Sequence, residues 1–275
     1  MRIPLRVLTL RVWKRIQDDD TFDQAAQLSY YFLFAIFPFL LLLTTLFGLL
    51  TKTGSEINEN LLSYARQVLP YNAFELVVTT MRELQTGAGG GKLSIGILAT
   101  LWAASSGVSG LIDGLNRAYQ VKETRPWWKA RLIAMGLTIL LPVFAAAALI
   151  LVLYGTRLAD LIAGYFGLQT YFTQLWDVLQ WPVAVVFLFI AVALLYRYAP
   201  ACPLGTWRQD LPGAVAGVVV WLLLSLLFRV YLQYFNSYNR TYGSLGAVMV
   251  LLLWLYLSGA AILIGAEVNS EWGKA

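Results

Sequence analysis

Residues 28–50 read LSYYFLFAIFPFLLLLTTLFGLL. No charged side chain interrupts the stretch, and a helix needs about 20 apolar residues to cross a hydrocarbon core. Pro38 predicts a kink inside it. Runs of the same kind recur near residues 93–114, 131–154, 179–198, 212–235 and 244–267. The fourth has the least sharp start, because Asp177 and Pro182 interrupt its approach. Asp210 followed by Pro212 supplies a helix start for the fifth, and Ser244 does so for the sixth. Within hydrocarbon every backbone amide must bond inside the protein, which leaves helices or a closed barrel. These runs are too long and continuous for barrel strands. The expected fold is therefore all-α and integral to the membrane, with six transmembrane helices in a single domain spanning residues 1–275.

Composition points the same way. Hydrophobic residues make up 59% of the 275-residue chain and charged residues 13%, where a soluble domain carries about 25% charged residues. The net charge of +5 does not indicate nucleic acid, since Lys and Arg crowd beside apolar runs as orientation signals do. With the N-terminus inside, 13 of the 20 Lys and Arg fall on the cytoplasmic side, which predicts both termini in the cytoplasm. The single cysteine, Cys202, cannot form an internal disulfide. The absence of histidine excludes Ser-His triads, HExxH zinc sites and His-based metal nucleases. No catalytic residue, metal site or cofactor is expected, and Asp18, Asp19 and Asp20 read as a solvated run.

Two segments outside the apolar runs have their own pattern. Residues 1–27 are basic, and Leu5, Leu8, Val12 and Ile16 share a helical face. They predict a cytoplasmic amphipathic segment on the membrane surface rather than a secretory leader. Residues 52–92 predict an outer amphipathic loop of two helices separated by Pro70. GAGGGK at 87–92 then reads as a hinge; its spacing does not fit a phosphate-binding loop.

Polar residues inside apolar runs are informative because each is costly in lipid. The second run carries Ser105, Ser106, Ser109, Asp113 and Asn116 close to one face, and the fifth carries Ser225, Arg229, Gln233 and Asn236. The third and fourth lack such a stripe. Runs one, two, five and six are thus expected to enclose a polar interior. At about 1.5 Å per residue, Gln27, Tyr30, Asp113, Asn116, Arg117, Arg125 and Glu267 fall at the cytoplasmic end, and Arg229 and Gln233 lie in the outer half. With Ser109, these ten residues are the candidate substrate site. The plainer alternatives are that the serines serve close helix packing, that Arg229 snorkels to headgroups and that Glu267 is solvated or ion-paired.

Three blocks carry a resemblance. AAQLSYYFLFAIFPFLLLL at 25–43, LWAASSGVSGLIDGLNRAYQVKETRPWWKAR at 101–131 and YGSLGAVMVLLLWLYLSGAAILIGAEVNSEW at 242–272 resemble the BrkB/YihY family of bacterial inner-membrane proteins. The resemblance implies six spans and a bacterial cytoplasmic membrane. Members of that family have been labelled as ribonuclease BN or linked to virulence and serum resistance, and a relative is connected with lipid A precursor export. The ribonuclease label conflicts with a chain that has neither histidine nor metal-ligand spacing.

Three functions follow as expectations. The first is movement of a lipid or other anionic amphiphile across or within the inner membrane, with arginines holding the headgroup and Asp113 or Glu267 balancing charge or carrying a proton. The second is a non-transporting scaffold with a partner in envelope assembly. The third is a lipid-modifying enzyme with Asp113 or Glu267 as base. The expected partners are membrane lipids, not nucleic acid.

Overall fold

The computed structural model describes residues 5–50, 78, 90–166, 169–201, 207–234 and 244–273. Among them the chain forms seven α-helices and no strand. They are α1 (Leu5–Asp18), α2 (Thr21–Leu50), α3 (Gly90–Ala118), α4 (Trp127–Phe166), α5 (Gln169–Tyr198), α6 (Trp207–Tyr234) and α7 (Ser244–Gly273). Each of α2–α7 is 28 to 40 residues long and contains one of the six apolar runs. Among the described residues four segments are long and apolar enough to cross a membrane: Trp127–Ala145, Val178–Tyr198, Gln209–Gln233 and Val248–Gly273. Only 17% to 28% of their residues are buried, so most of this apolar surface faces outward, as it must if lipid surrounds the bundle.

Several boundaries differ from the expected ones. Helix α5 begins at Gln169 and runs through Pro182, so neither Asp177 nor Pro182 ends it. Helix α6 begins three residues before Asp210, which sits in its first turn, where a carboxylate faces the positive end of the helix dipole. Helix α3 already includes Gly90 and Lys92, inside the glycine run expected to be a hinge. The rest of the outer loop lies outside the described residues, Val78 excepted.

Helix α7 is the centre of the bundle, packing on α6, α2, α3 and α1, while α4 pairs with α5. Two features bring α6 and α7 together. Gly213 and Gly217 on α6 face Gly265 on α7, and a Cβ at Gly265 would meet the Gly213 carbonyl and the Tyr196 hydroxyl. Absent side chains let the backbones approach this closely. The common core includes Leu28, Leu111, Leu115, Leu137, Leu195, Tyr196 and Leu263.

The N-terminal segment forms the amphipathic helix α1. Leu8, Val12 and Ile16 are buried against Ile264 and Val268 of α7. The apolar face of α1 packs on the bundle. Its opposite face exposes Leu10 and Trp13 beside Arg11 and Lys14.

Candidate functional site

Helices α2–α7 meet at one pole, where the start of α2, α4 and α6 lies beside the end of α3, α5 and α7. The junction is polar and bonded. Asn269 of α7 is fully buried. Its Oδ1 accepts the Gly213 N–H at 2.6 Å, and its Nδ2 donates to the Asp210 carbonyl at 2.9 Å and the Tyr119 hydroxyl at 3.2 Å. Burial pushes the Tyr119 phenol well above its ordinary range, with the Asn269 bond opposing. Arg197 of α5 donates to the buried Asp210 carboxylate at 3.2 Å. Arg15 of α1 lies 2.9 Å from Asp19, 3.6 Å from Glu267 and 3.5 Å from Glu271, and donates to the Ala118 carbonyl at 3.3 Å.

The segment after α3 is fixed by its own turn. The Gln120 N–H bonds the Arg117 carbonyl and the Val121 N–H bonds the Asn116 carbonyl, which is the paired bonding of a Schellman cap. Gln120 takes the left-handed position at φ 56°, where glycine is usual. Beyond it, Arg125 grips Glu123 at 2.7 and 2.8 Å, a two-pronged charge-assisted pair. Arg125 also donates to the Ala199 carbonyl at 2.8 Å, and Asn116 joins Glu123 to the Ala201 N–H. The Arg125 side chain holds the Glu123 carboxyl down to about 2, against partial burial.

This fixed segment delivers α4 beside the serine stripe of α3. Arg131 reaches across, donating to Ser109 Oγ at 3.0 Å, to Ser106 Oγ at 3.2 Å and to the Trp102 carbonyl. Its guanidinium carbon lies 4.4 Å from the centre of the Trp102 ring, within cation–π range, and Trp127 packs edge-on against that ring at 6.1 Å. Arg131 forms no ion pair among the described residues. Its Nε is buried without a hydrogen-bond partner among them.

Arg131, Ser109, Ile112, Asp113, Glu123, Trp102, Trp127 and Ala130 line a cavity of about 370 Å³. Its rim is open, with Trp127 72% exposed. A smaller cavity of about 90 Å³ lies on the other flank of α3, lined by Gln24, Gln27, Tyr31, Asp113 and Arg117 among others. Asp113 borders both.

Residues 12–274 match the family described as virulence factor BrkB. The chain belongs to that family. Among relatives, it is 35% identical over 248 residues to the ribonuclease-like protein YfkH of Bacillus subtilis (strain 168), covering 90% of this chain and 88% of that one. It is 27% identical over 266 residues to a UPF0761 membrane protein of Stenotrophomonas maltophilia (strain R551-3). It is 29% identical over 270 residues to one of Xanthomonas oryzae pv. oryzae (strain PXO99A). Each of these two alignments covers 94% of this chain but 59% of the relative. No solved structure matches. This BrkB-family chain is accordingly a membrane protein.

The candidate residues of the BrkB-family chain do not form one cluster. Gln27, Asp113 and Arg117 line the smaller cavity, and Ser109 and Asp113 line the larger. Tyr30 is exposed against Tyr31 and Phe34. Asn116 and Arg125 are committed to Glu123 and the end of α5. Glu267 is 1% exposed and paired with Arg15, so of the alternatives set out for it the ion pair holds. Arg229 and Gln233 are exposed on α6, and Ser225 donates to its own helix at Trp221. Asn236 lies outside the described residues. Of the runs expected to enclose a polar interior, one and two border the smaller cavity, five and six approach on glycine, and the larger of the two cavities lies between α3 and α4. Arg131 is the residue the sequence reading missed. It stands at the start of the third run, where it counted only towards orientation, although Ser106 and Ser109 are its partners.

Proposed function

We propose that this BrkB-family protein moves a lipid or other anionic amphiphile across or within the bacterial inner membrane, through six spans with both termini in the cytoplasm. One observation carries the reading: Arg131 borders an open cavity of about 370 Å³ beside Ser109 and two exposed tryptophans, with no carboxylate paired to it. A guanidinium at the flank of a bundle otherwise surfaced with Leu, Val and Trp is costly in lipid. Such a group favours a phosphate or carboxylate that arrives with its own alkyl chains. Arg117, beside Gln27 and Asp113 in the smaller cavity, is a second contact on the far flank of α3. Arg229, exposed on α6, is a third, at the other end of the bundle.

The test is reconstitution of the full chain in liposomes with a fluorescent phospholipid, followed by chemical quenching from outside. Protein-dependent exchange between leaflets is expected, with loss of at least about tenfold in rate in Arg131→Gln, as befits removal of a charge-assisted pair. Exchange equal to that of empty liposomes, with and without a proton gradient, would sink the proposal.

A further inference from the structure

The larger cavity carries more than a guanidinium. Arg131 is fixed on Ser109, and Asp113 stands one helical turn further along α3, about 6 Å nearer the end of that helix. Of the two carboxylates in the lining, Glu123 is taken by Arg125 and Asn116. Asp113 has no ion pair among the described residues and is exposed. The cavity thus presents one cation and one anion, neither in an ion pair among the described residues, a turn apart, beside two indole rings, with Arg117 acting on Asp113 from the smaller cavity on the other flank of α3.

We propose that this cavity holds the headgroup of a phospholipid bearing an ammonium group, with the phosphate on Arg131 and the ammonium on Asp113. A purely anionic headgroup would set a negative charge against Asp113, and like charges at such a site repel. A phosphate and an ammonium joined by two carbons span about one helical turn. The order also fits. Asp113 lies nearer the polar pole at Tyr119 and Arg125, while Arg131 binds deeper along α3, so the lipid meets them in the sequence acyl chain, phosphate, ammonium. That is how a phospholipid stands in the leaflet on the side of the pole. Trp102 and Trp127 take the position of the glycerol and upper acyl region, as tryptophans do at membrane interfaces.

This inference rests on the transport reading for its purpose but not for its test, which measures retention alone. The full-length protein is extracted from a mixed bilayer of phosphatidylethanolamine and phosphatidylglycerol, and bound lipids are counted by native mass spectrometry. Phosphatidylethanolamine is expected to be retained roughly fivefold over phosphatidylglycerol, the effect of one partly exposed charge contact. Asp113→Asn should abolish that preference, and Arg131→Gln should lower retention of both lipids. N-acylation of the ethanolamine, which removes the ammonium without touching the protein, should act on the wild type as Asp113→Asn does. Equal retention of both lipids by the wild type overturns the inference, as does a preference that survives Asp113→Asn or N-acylation. Selective retention without exchange in liposomes sinks the transport reading and leaves this one standing.

Discussion

Replacing Asn269 by Ala tests whether the polar pole holds the bundle together. The side chain joins α7 to the start of α6 and to the residue after α3 through three hydrogen bonds, at 2.6, 2.9 and 3.2 Å. Hydrogen bonds between helices in membrane proteins average about 0.6 kcal/mol each, so three contribute about 2 kcal/mol. A loss of about 2 kcal/mol is expected. At roughly 2–4 °C per kcal/mol for a domain of comparable size, the melting temperature in detergent should fall by roughly 4–8 °C, read from tryptophan fluorescence. Asn269→Asp keeps the acceptor for Gly213 but sets a carboxylate against the Asp210 carbonyl, and should lose as much. Tyr119→Phe removes the longest of the three bonds and should cost only about 0.6 kcal/mol. A shift below about 2 °C for Asn269→Ala, less than about 1 kcal/mol, would refute the reasoning and leave the pole as incidental polarity.

Two further outcomes are expected. The Glu123 carboxyl is held down to about 2 from 4.5, chiefly by Arg125, so its hold on the segment between α3 and α4 is complete above about pH 4.5 and is lost as pH falls towards 2. Hydrogen exchange at residues 121–125 should quicken across that window, and Glu123→Gln should quicken it at neutral pH and flatten the dependence. Gly265→Ala should destabilise by about 1–3 kcal/mol, because its Cβ meets the Gly213 carbonyl, backbone that cannot swing aside. Gly136→Ala, which meets nothing within 4 Å, should stabilise by up to about 1 kcal/mol, and equal thermal shifts for the pair would contradict the close crossing.

The helices were legible in the sequence because hydrocarbon leaves the backbone so little choice. Each expected run falls inside one observed helix, save residue 235, which lies outside the described residues, and the errors are at the ends. Pro182 and Asp177 misled because proline is tolerated within helices surrounded by neighbours that satisfy the freed groups. The partners of polar residues were less legible. A stripe such as Ser106, Ser109 and Asp113 fixes the face of α3 but not which helix meets it. Arg131 lies 22 residues from Ser109, and only the turn at Gln120 and the clamp of Arg125 on Glu123 set the register that joins them. Glu267 reads in sequence as a charge near a helix end. Its burial depends on α1 folding back, which the amphipathic pattern of residues 5–16 allows but does not direct to α7.

The distribution of fixed and open contacts argues for where a lipid would act on the protein. At the pole, α3, α5, α6 and α7 are cross-bonded by Asn269, Arg125, Asn116 and Arg197, and α1 is tied in by Arg15. The α6–α7 contact is glycine on glycine, with no room to yield. The flank between α3 and α4 differs. Above the clamp its polar contacts are those of one guanidinium on two hydroxyls and a carbonyl, with a cavity beside it, while Leu111, Leu115, Ala134 and Leu137 share the apolar core. Any headgroup phosphate that binds Arg131 competes with Ser106 and Ser109 for the same donors. Occupancy would therefore loosen the polar contact between α4 and α3 while leaving the pole intact.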